Sequence, residues 1–154
     1  MDTVLAFFAR FLVTLSAAVL VGKVVYFNFV VSPVLNKTLN PDMRIRVSGA
    51  LFPRYYYLGI LCGLLIALAG TQLQLQFQRW IAVGTGILVI AIDAACRFYF
   101  LPRLNSLKSV IEQLPVEEQK GSREQQEWRK LQKIALRLNL VVLAAGLILI
   151  GRMS

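Results

Sequence analysis

Four apolar stretches, each long enough to cross a lipid bilayer, constrain this chain more than any other feature. They run from about residue 4 to 31, 55 to 72, 80 to 101 and 131 to 150. A helix needs roughly 20 apolar residues to cross the hydrocarbon core, and each stretch is close to that length. The bilayer core holds no water, so backbone groups there must bond to each other, and stretches this long exclude barrel strands. The sequence therefore predicts an all-α, four-helix transmembrane bundle.

Composition supports a single integral membrane domain over residues 1–154. The chain is 57% hydrophobic and 16% charged, whereas soluble domains have about 45–50% apolar and about 25% charged residues. The start of the chain is not expected to be a cleavable signal. Asp2 stands where a basic cluster would be, and the first apolar stretch exceeds the roughly 7–15 residues of a signal peptide.

The basic residues predict an orientation in the membrane. Of 17 Lys and Arg residues, eleven lie in segments 32–54 and 102–133, whereas Arg79 and Arg152 flank the spans on the other side. The positive-inside rule then predicts that loops 32–54 and 102–130 are cytoplasmic and that both termini lie outside. We expect a bacterial-type inner membrane, although a thylakoid or organellar membrane gives the same pattern.

The formal net charge of +9 raises the question of an anionic partner. The cations cluster beside the apolar spans, so we expect anionic lipids as partners and no nucleic acid.

Local patterns predict helical structure in both basic loops. The run 40–42 (Asn-Pro-Asp) is typical of a helix start, and apolar residues within 43–51 then line one face, which predicts a short interfacial helix. Apolar residues at helical spacing in 104–114 predict that the third helix extends into the cytoplasm. Ser122 followed by Gln125 resembles a capping box, so the fourth helix is expected to begin before the membrane.

Charged side chains inside the spans mark the candidate site. In the predicted topology, Lys23, Asp93, Arg97, Arg137 and Asn139 share the inner half of the bilayer, together with Asn28. Asp93 and Arg97 are four residues apart, so they share a helix face and can pair. One interpretation is a structural ion-pair cluster with cations snorkelling toward the interface. The other is a cationic pocket for an anion, a lipid headgroup or a transported substrate.

Small residues form a stripe on the second span. Gly59, Gly63, Ala67 and Gly70 recur at helical spacing, and the first two match the GxxxG pattern, which permits close backbone approach. The stripe favours helix packing within the bundle over dimerisation.

The residue types that are missing narrow the function. The chain has no histidine, which excludes Ser-His-Asp catalysis and His-ligated haem or zinc. Its two cysteines, Cys62 and Cys96, lie at similar predicted depth on the reducing side, where a disulfide is not expected. A two-thiolate site for a soft metal would suit their chemistry, but we expect no metal, no cofactor and no enzymatic activity.

Several local sequences are similar to a known family. Segments 28–35 (NFVVSPVL), 51–56 (LFPRYY), 101–103 (LPR) and 138–140 (LNL) together resemble the small four-helix membrane proteins named after transmembrane protein 205. The resemblance implies the four-helix fold over nearly the whole chain, in a family whose activity is poorly defined. That family has a histidine and a serine upstream of the fourth-helix Asn, but segment 131–137 has neither. A function that needs the histidine is therefore not expected.

Two functional hypotheses follow. In the first, the chain is a non-enzymatic multi-pass membrane protein whose cationic cluster binds an anion or lipid headgroup or assists transport. In the second, it is an accessory or assembly subunit of a larger respiratory or photosynthetic membrane complex. The small size, the small-residue stripe and the helical extensions support the second hypothesis. Either a homo-oligomer or a larger complex would fit these features.

Overall fold

The computed structural model describes residues 2–39, 41–115 and 121–153. Within these ranges the chain forms α-helices and two π-helical segments, without a strand. The elements in chain order are α1 (Asp2–Tyr26), the first π segment (Phe27–Val31), α2 (Ser32–Thr38), α3 (Pro41–Gly70), α4 (Gln76–Ala95), the second π segment (Cys96–Phe100), α5 (Leu101–Gln113) and α6 (Arg123–Met153).

Four continuous helical stretches are long and apolar enough to cross a membrane. They are Thr3–Leu35, Gly49–Gly70, Gln76–Gln113 and Arg123–Met153. The prediction of an all-α, four-helix membrane bundle is therefore confirmed, and the chain is a multi-pass integral membrane protein.

The four spans pack as a ring. Helix α1 packs against α3 and α6, and α4 packs against the same two helices. Helices α1 and α4 therefore face each other across the bundle, around a core that includes Leu20, Ile66 and Val89. Large apolar side chains such as Phe7 and Trp80 lie exposed on the outside, which suits a surface covered by lipid tails.

The two ends of the bundle differ in charge. Both α1 and α4 run toward the end where α2 and α5 lie, and we call this the basic end because segments 32–54 and 102–133 hold most of the cations. At the opposite end, the Arg79 guanidinium donates two hydrogen bonds to the Leu73 carbonyl, at 3.1 and 2.8 Å. The Gln78 side chain donates to the Arg152 carbonyl at 3.2 Å, which ties α4 to the end of α6.

Helix α6 is longer than a membrane crossing requires. Its 31 residues span about 46 Å, against a hydrocarbon core of about 30 Å, and α5 packs on it. The Gln125 backbone N–H donates to the Ser122 hydroxyl at 3.2 Å, and the Gly121 N–H donates to the Gln125 side chain at 3.1 Å. The predicted capping box is thus present, with the glutamine reaching Gly121 instead of the cap residue itself.

Each π segment is followed closely by a proline. Pro33 and Pro102 are the second residues of α2 and α5. A proline ring clashes with the carbonyl four residues earlier in an α-helix, and that carbonyl belongs to Phe29 or Phe98, inside each π segment. The helix continues through each π segment and past the proline. The third helix therefore extends beyond 101, as the apolar spacing in 104–114 predicts, and the first span continues past its predicted end at 31.

Helix α3 differs from the predicted arrangement. It runs without a break from Pro41 to Gly70 and includes Pro53, so residues 41–52 continue the helix of the second span and do not form a separate helix. Membrane helices tolerate an internal proline because neighbouring groups re-satisfy the freed backbone. Asn40 and the side chains of Pro41 and Asp42, which carried the predicted cap, lie outside the described residues.

Candidate functional site

A buried ion pair crosses the centre of the bundle. The Lys23 ammonium of α1 lies 2.7 Å from Asp93 Oδ2 of α4, and the two side chains are 4% and 0% exposed. Asp93 therefore pairs with a residue 70 positions away instead of with Arg97 on its own helix face. Removing one member of such a pair would leave an uncompensated charge in a low-dielectric interior, which is strongly destabilising.

Helix α3 makes room for the ion pair and adds two contacts to it. A Cβ atom at Gly59 would overlap Asp93 Oδ2 and Lys23 Nζ, and would lie 2.6 Å from Asp93 Cγ. The Lys23 ammonium also donates to the Tyr55 carbonyl at 3.5 Å and lies 4.5 Å from the centroid of the Tyr55 ring. Glycine at position 59 is thus a condition for the pair, and Tyr55 supplies a carbonyl and a cation–π surface.

The rest of the small-residue stripe lies against α4. A Cβ at Gly63 would lie 2.9 Å from Ile90 Cγ1 and 3.0 Å from the Gly86 carbonyl oxygen. At Gly70 it would lie 2.8 Å from the Cβ of Ala82. The stripe lets the backbones of α3 and α4 approach closely inside the bundle. This close approach places Asp93 in the space left by the missing side chain of Gly59, which we call the gap at Gly59.

Four buried side-chain polar atoms have no hydrogen-bond partner among the described residues. They are the Tyr55 hydroxyl oxygen, Asp93 Oδ1, Arg97 Nε and Asn139 Oδ1. Arg97 lies about 6 Å from Asp93 toward the basic end, and its guanidinium carbon is 4.7 Å from the Tyr57 ring centroid. Unpartnered buried groups are uncommon in folded proteins and call for a reason such as a functional role.

Arg137 is outside this arrangement. Its side chain is exposed, and within the described ranges we find no hydrogen bond or ion pair that it makes. Successive helical residues turn by about 100°, so Arg137 and Asn139 differ by about 200° around α6 and cannot both face the core. Of the predicted cluster, Lys23 and Asp93 form an ion pair. Arg97 and Asn139 are half-buried, and Arg137 lies on the surface.

A cleft of about 490 Å³ opens on the side of the bundle between α1 and α3. Its walls are mainly apolar, with Val19 and Leu58 among them, and its two cations are Lys23 and Arg54. Gly22 also lines the cleft, and a Cβ built there meets nothing within 4 Å. The sequence predicts Arg54 only as a loop cation, and a glycine at position 22 carries no signal of a cleft.

Both cysteines are buried in the core as free thiols. Cys96 belongs to the second π segment, which packs on α3. Across the described part of the chain, no group of three or more His, Cys, Asp or Glu side chains is placed to hold a metal ion.

The family model described as domain of unknown function DUF4149 matches residues 15–113. The matched region holds Lys23, Asp93, the cleft and both π segments, but not α6. It supports the expected membrane family of unknown function, while the more specific resemblance to transmembrane protein 205 stays a prediction. No curated protein and no solved structure matches the chain.

Proposed function

We propose that this chain, which belongs to the family of the domain of unknown function DUF4149, is a non-enzymatic membrane protein that binds one anionic lipid in the cleft between α1 and α3. The observation that carries the proposal is the placing of two cations, Lys23 and Arg54, along one apolar cleft. An apolar wall with a few placed polar groups is the usual character of a ligand site.

The two cations differ in depth and exposure. Arg54 is exposed, whereas Lys23 is buried at the ion pair. Gly59 lies against that pair and follows Arg54 by five residues, so about 7.5 Å along the helix axis separates the two levels. An anionic headgroup between them would receive hydrogen bonds from both, including the paired N–H groups with which Arg recognises phosphate. The acyl chain would then lie along Val19 and Leu58.

The orientation proposed from the loop charges agrees with this occupant. If the basic end faces the cytoplasm, the headgroup site lies in the cytoplasmic leaflet. Anionic lipids give that leaflet its negative surface potential, so the cations of the cleft match the lipids expected there.

The test is native mass spectrometry of delipidated protein in nonionic detergent, titrated separately with phosphatidylglycerol, phosphatidylcholine and inorganic phosphate. Gly22→Leu should fill the cleft, because the space beyond Gly22 is open. Gly84→Leu is the matched control, since this exposed glycine of α4 also has nothing within 4 Å of a built Cβ.

We expect wild type and Gly84→Leu to retain one phosphatidylglycerol. Gly22→Leu should bind it at least tenfold more weakly, and Arg54→Gln should lose the preference over phosphatidylcholine. Equal binding by wild type and Gly22→Leu would overturn the cleft as the site. Saturable binding of inorganic phosphate with the affinity of the lipid would overturn the lipid as the occupant.

The accessory-subunit hypothesis rested partly on the apolar face of α5. In the structure Leu104, Leu107 and Ile111 are half-buried and α5 packs on α6, so less of that face remains for a partner. The hypothesis stays a prediction, and a stoichiometric partner that copurifies from mild detergent would support it.

A further inference from the structure

Lys23 belongs both to the lining of the cleft and to the buried ion pair. It lines the cleft and also donates to Asp93 Oδ2 at 2.7 Å. If the cleft binds an anionic lipid, as proposed above, the headgroup and Asp93 compete for the same ammonium group. The inference that follows rests on that proposed function.

The competition has an electrostatic consequence. Asp93 is fully buried, and an ionised carboxylate without a partner is costly inside a membrane protein. With the lipid anion in place, one buried ammonium would face two negative groups. The bundle can restore the balance by moving a charge, or by adding a proton to the carboxylate.

The groups around Asp93 favour protonation of its carboxylate over the movement of another charge. The titratable groups that face Asp93 are Lys23 from α1, Tyr55, Tyr56 and Cys62 from α3, and Cys96 from its own helix. Helix α6 also packs on α4, and its half-buried Asn139 is neutral. Another cation, Arg97, lies one helical turn from Asp93 along the third span, with its guanidinium over the Tyr57 ring. No further cation of the described residues lies at hydrogen-bond distance from the carboxylate.

We propose that binding of the lipid anion is coupled to the uptake of one proton by Asp93. The headgroup accepts the Lys23 N–H hydrogen bond that Asp93 Oδ2 accepted before. A proton from bulk water then adds to the carboxylate at Oδ1, the buried oxygen that has no hydrogen-bond partner among the described residues. The carboxylic acid is neutral, so the buried charge is the same before and after binding. Release of the lipid returns the proton to water and the hydrogen bond to Asp93.

The experiment is isothermal titration calorimetry of wild type with a short-chain phosphatidylglycerol, in buffers of different ionisation enthalpy. The phosphodiester of this probe keeps one negative charge across the pH range used, so any proton taken up belongs to the protein. We expect uptake of about one proton per lipid, and an affinity that rises by up to about tenfold for each unit by which the pH falls. Asp93→Asn should bind without proton uptake and without pH dependence. The matched control Glu112→Gln changes an exposed carboxylate of α5 and should behave as wild type does.

The outcomes separate the two proposals. If wild type binds the lipid with no proton uptake, the coupling is wrong and the lipid site stands. If wild type and Asp93→Asn take up the same number of protons, Asp93 is not the acceptor. If wild type binds no lipid at all, the proposed function itself is overturned. The proton count on wild type needs no variant, so the test survives if Asp93→Asn fails to fold.

Discussion

Gly59→Ala should destabilise the bundle because its new methyl group would overlap the Lys23–Asp93 ion pair. The built Cβ overlaps Asp93 Oδ2 and Lys23 Nζ and lies 2.6 Å from Asp93 Cγ. Asp93 is short and fully buried, so it cannot swing away as an exposed lysine could. Either the ion pair must separate, or α3 must move away from α4.

The two responses bracket the expected loss of stability. Overpacking a core by one methyl group costs about 1–3 kcal/mol, and breaking a buried ion pair costs about 3–5 kcal/mol. We therefore expect Gly59→Ala to lose about 3 kcal/mol. The matched control Gly84→Ala meets no neighbour and should lose nothing, because alanine is favoured over glycine in a helix by about 0.5–1 kcal/mol.

The assay is reversible unfolding in mixed micelles with an increasing fraction of denaturing detergent. Helicity reports unfolding, and maleimide labelling of the two buried cysteines, Cys62 and Cys96, gives a second probe. A mutant cycle then locates the clash. In a Lys23→Ala, Asp93→Ala background both overlapping atoms are gone, so Gly59→Ala should cost less than about 1 kcal/mol, a coupling expected of residues in contact.

Two results would refute this reasoning. If Gly59→Ala is as harmless as Gly84→Ala, the ion pair does not occupy the gap at Gly59. If Gly59→Ala costs the same with and without the ion pair, the clash is with the backbone of α4 and not with the two charged side chains.

Three further predictions use the same unfolding assay. Lys23→Met alone should lose about 3–5 kcal/mol because it leaves Asp93 buried and unpaired, whereas Lys23→Met with Asp93→Leu should lose far less; equal losses would contradict a paired charge. Arg103→Ala should change stability by less than about 1 kcal/mol, since its 3.9 Å pair with Glu127 is solvent-exposed. A larger loss would mean that the pair matters more than its exposure allows. Ser122→Ala should lose about 1 kcal/mol through its helix cap, and Ser122→Asp should restore it.

Local signals in the sequence were enough for the spans and for one cap. Apolar length alone located the four crossings, because a bilayer imposes a minimum length on each helix. The Ser122 and Gln125 pair predicted where α6 begins, since a cap depends on neighbours within one turn. The continuation of the first span past Pro33 was not predicted, because the apolar stretch ends at about residue 31 and a π segment has no comparable sequence signature.

The sequence predicted how deep each candidate residue lies along its span, but not the direction in which its side chain points around the helix. A span that is apolar on every side has no face that identifies its core, so the sequence could not decide which way each charged residue points. Arg137 was therefore grouped with Lys23 and Asp93, although it lies on the exposed side of α6. For the same reason helical spacing points to Arg97, four residues away, as the partner of Asp93, whereas the structure supplies Lys23 from the opposite helix.

The contacts around the ion pair depend on which helices are neighbours. The glycine stripe identified a face of α3 that can approach another helix closely, but nothing local showed that this helix is α4. Tyr55 and Tyr56 follow a basic loop and look like interfacial aromatics, yet both are buried in the core. Only the assembled ring places Tyr55 against Lys23 and opens the cleft beside them.

The most direct test of the central claim is to locate the lipid on the protein. Phosphatidylglycerol with a photoactivatable group in its acyl chain is incorporated with the protein into bilayers of phosphatidylcholine, irradiated, and mapped by peptide mass spectrometry. The lipid site predicts labelling concentrated on the cleft walls at Val19 and Leu58, with loss of that labelling in Gly22→Leu and not in Gly84→Leu. Labelling spread evenly over exposed positions such as Phe7 and Ile148, and unchanged in Gly22→Leu, would contradict it.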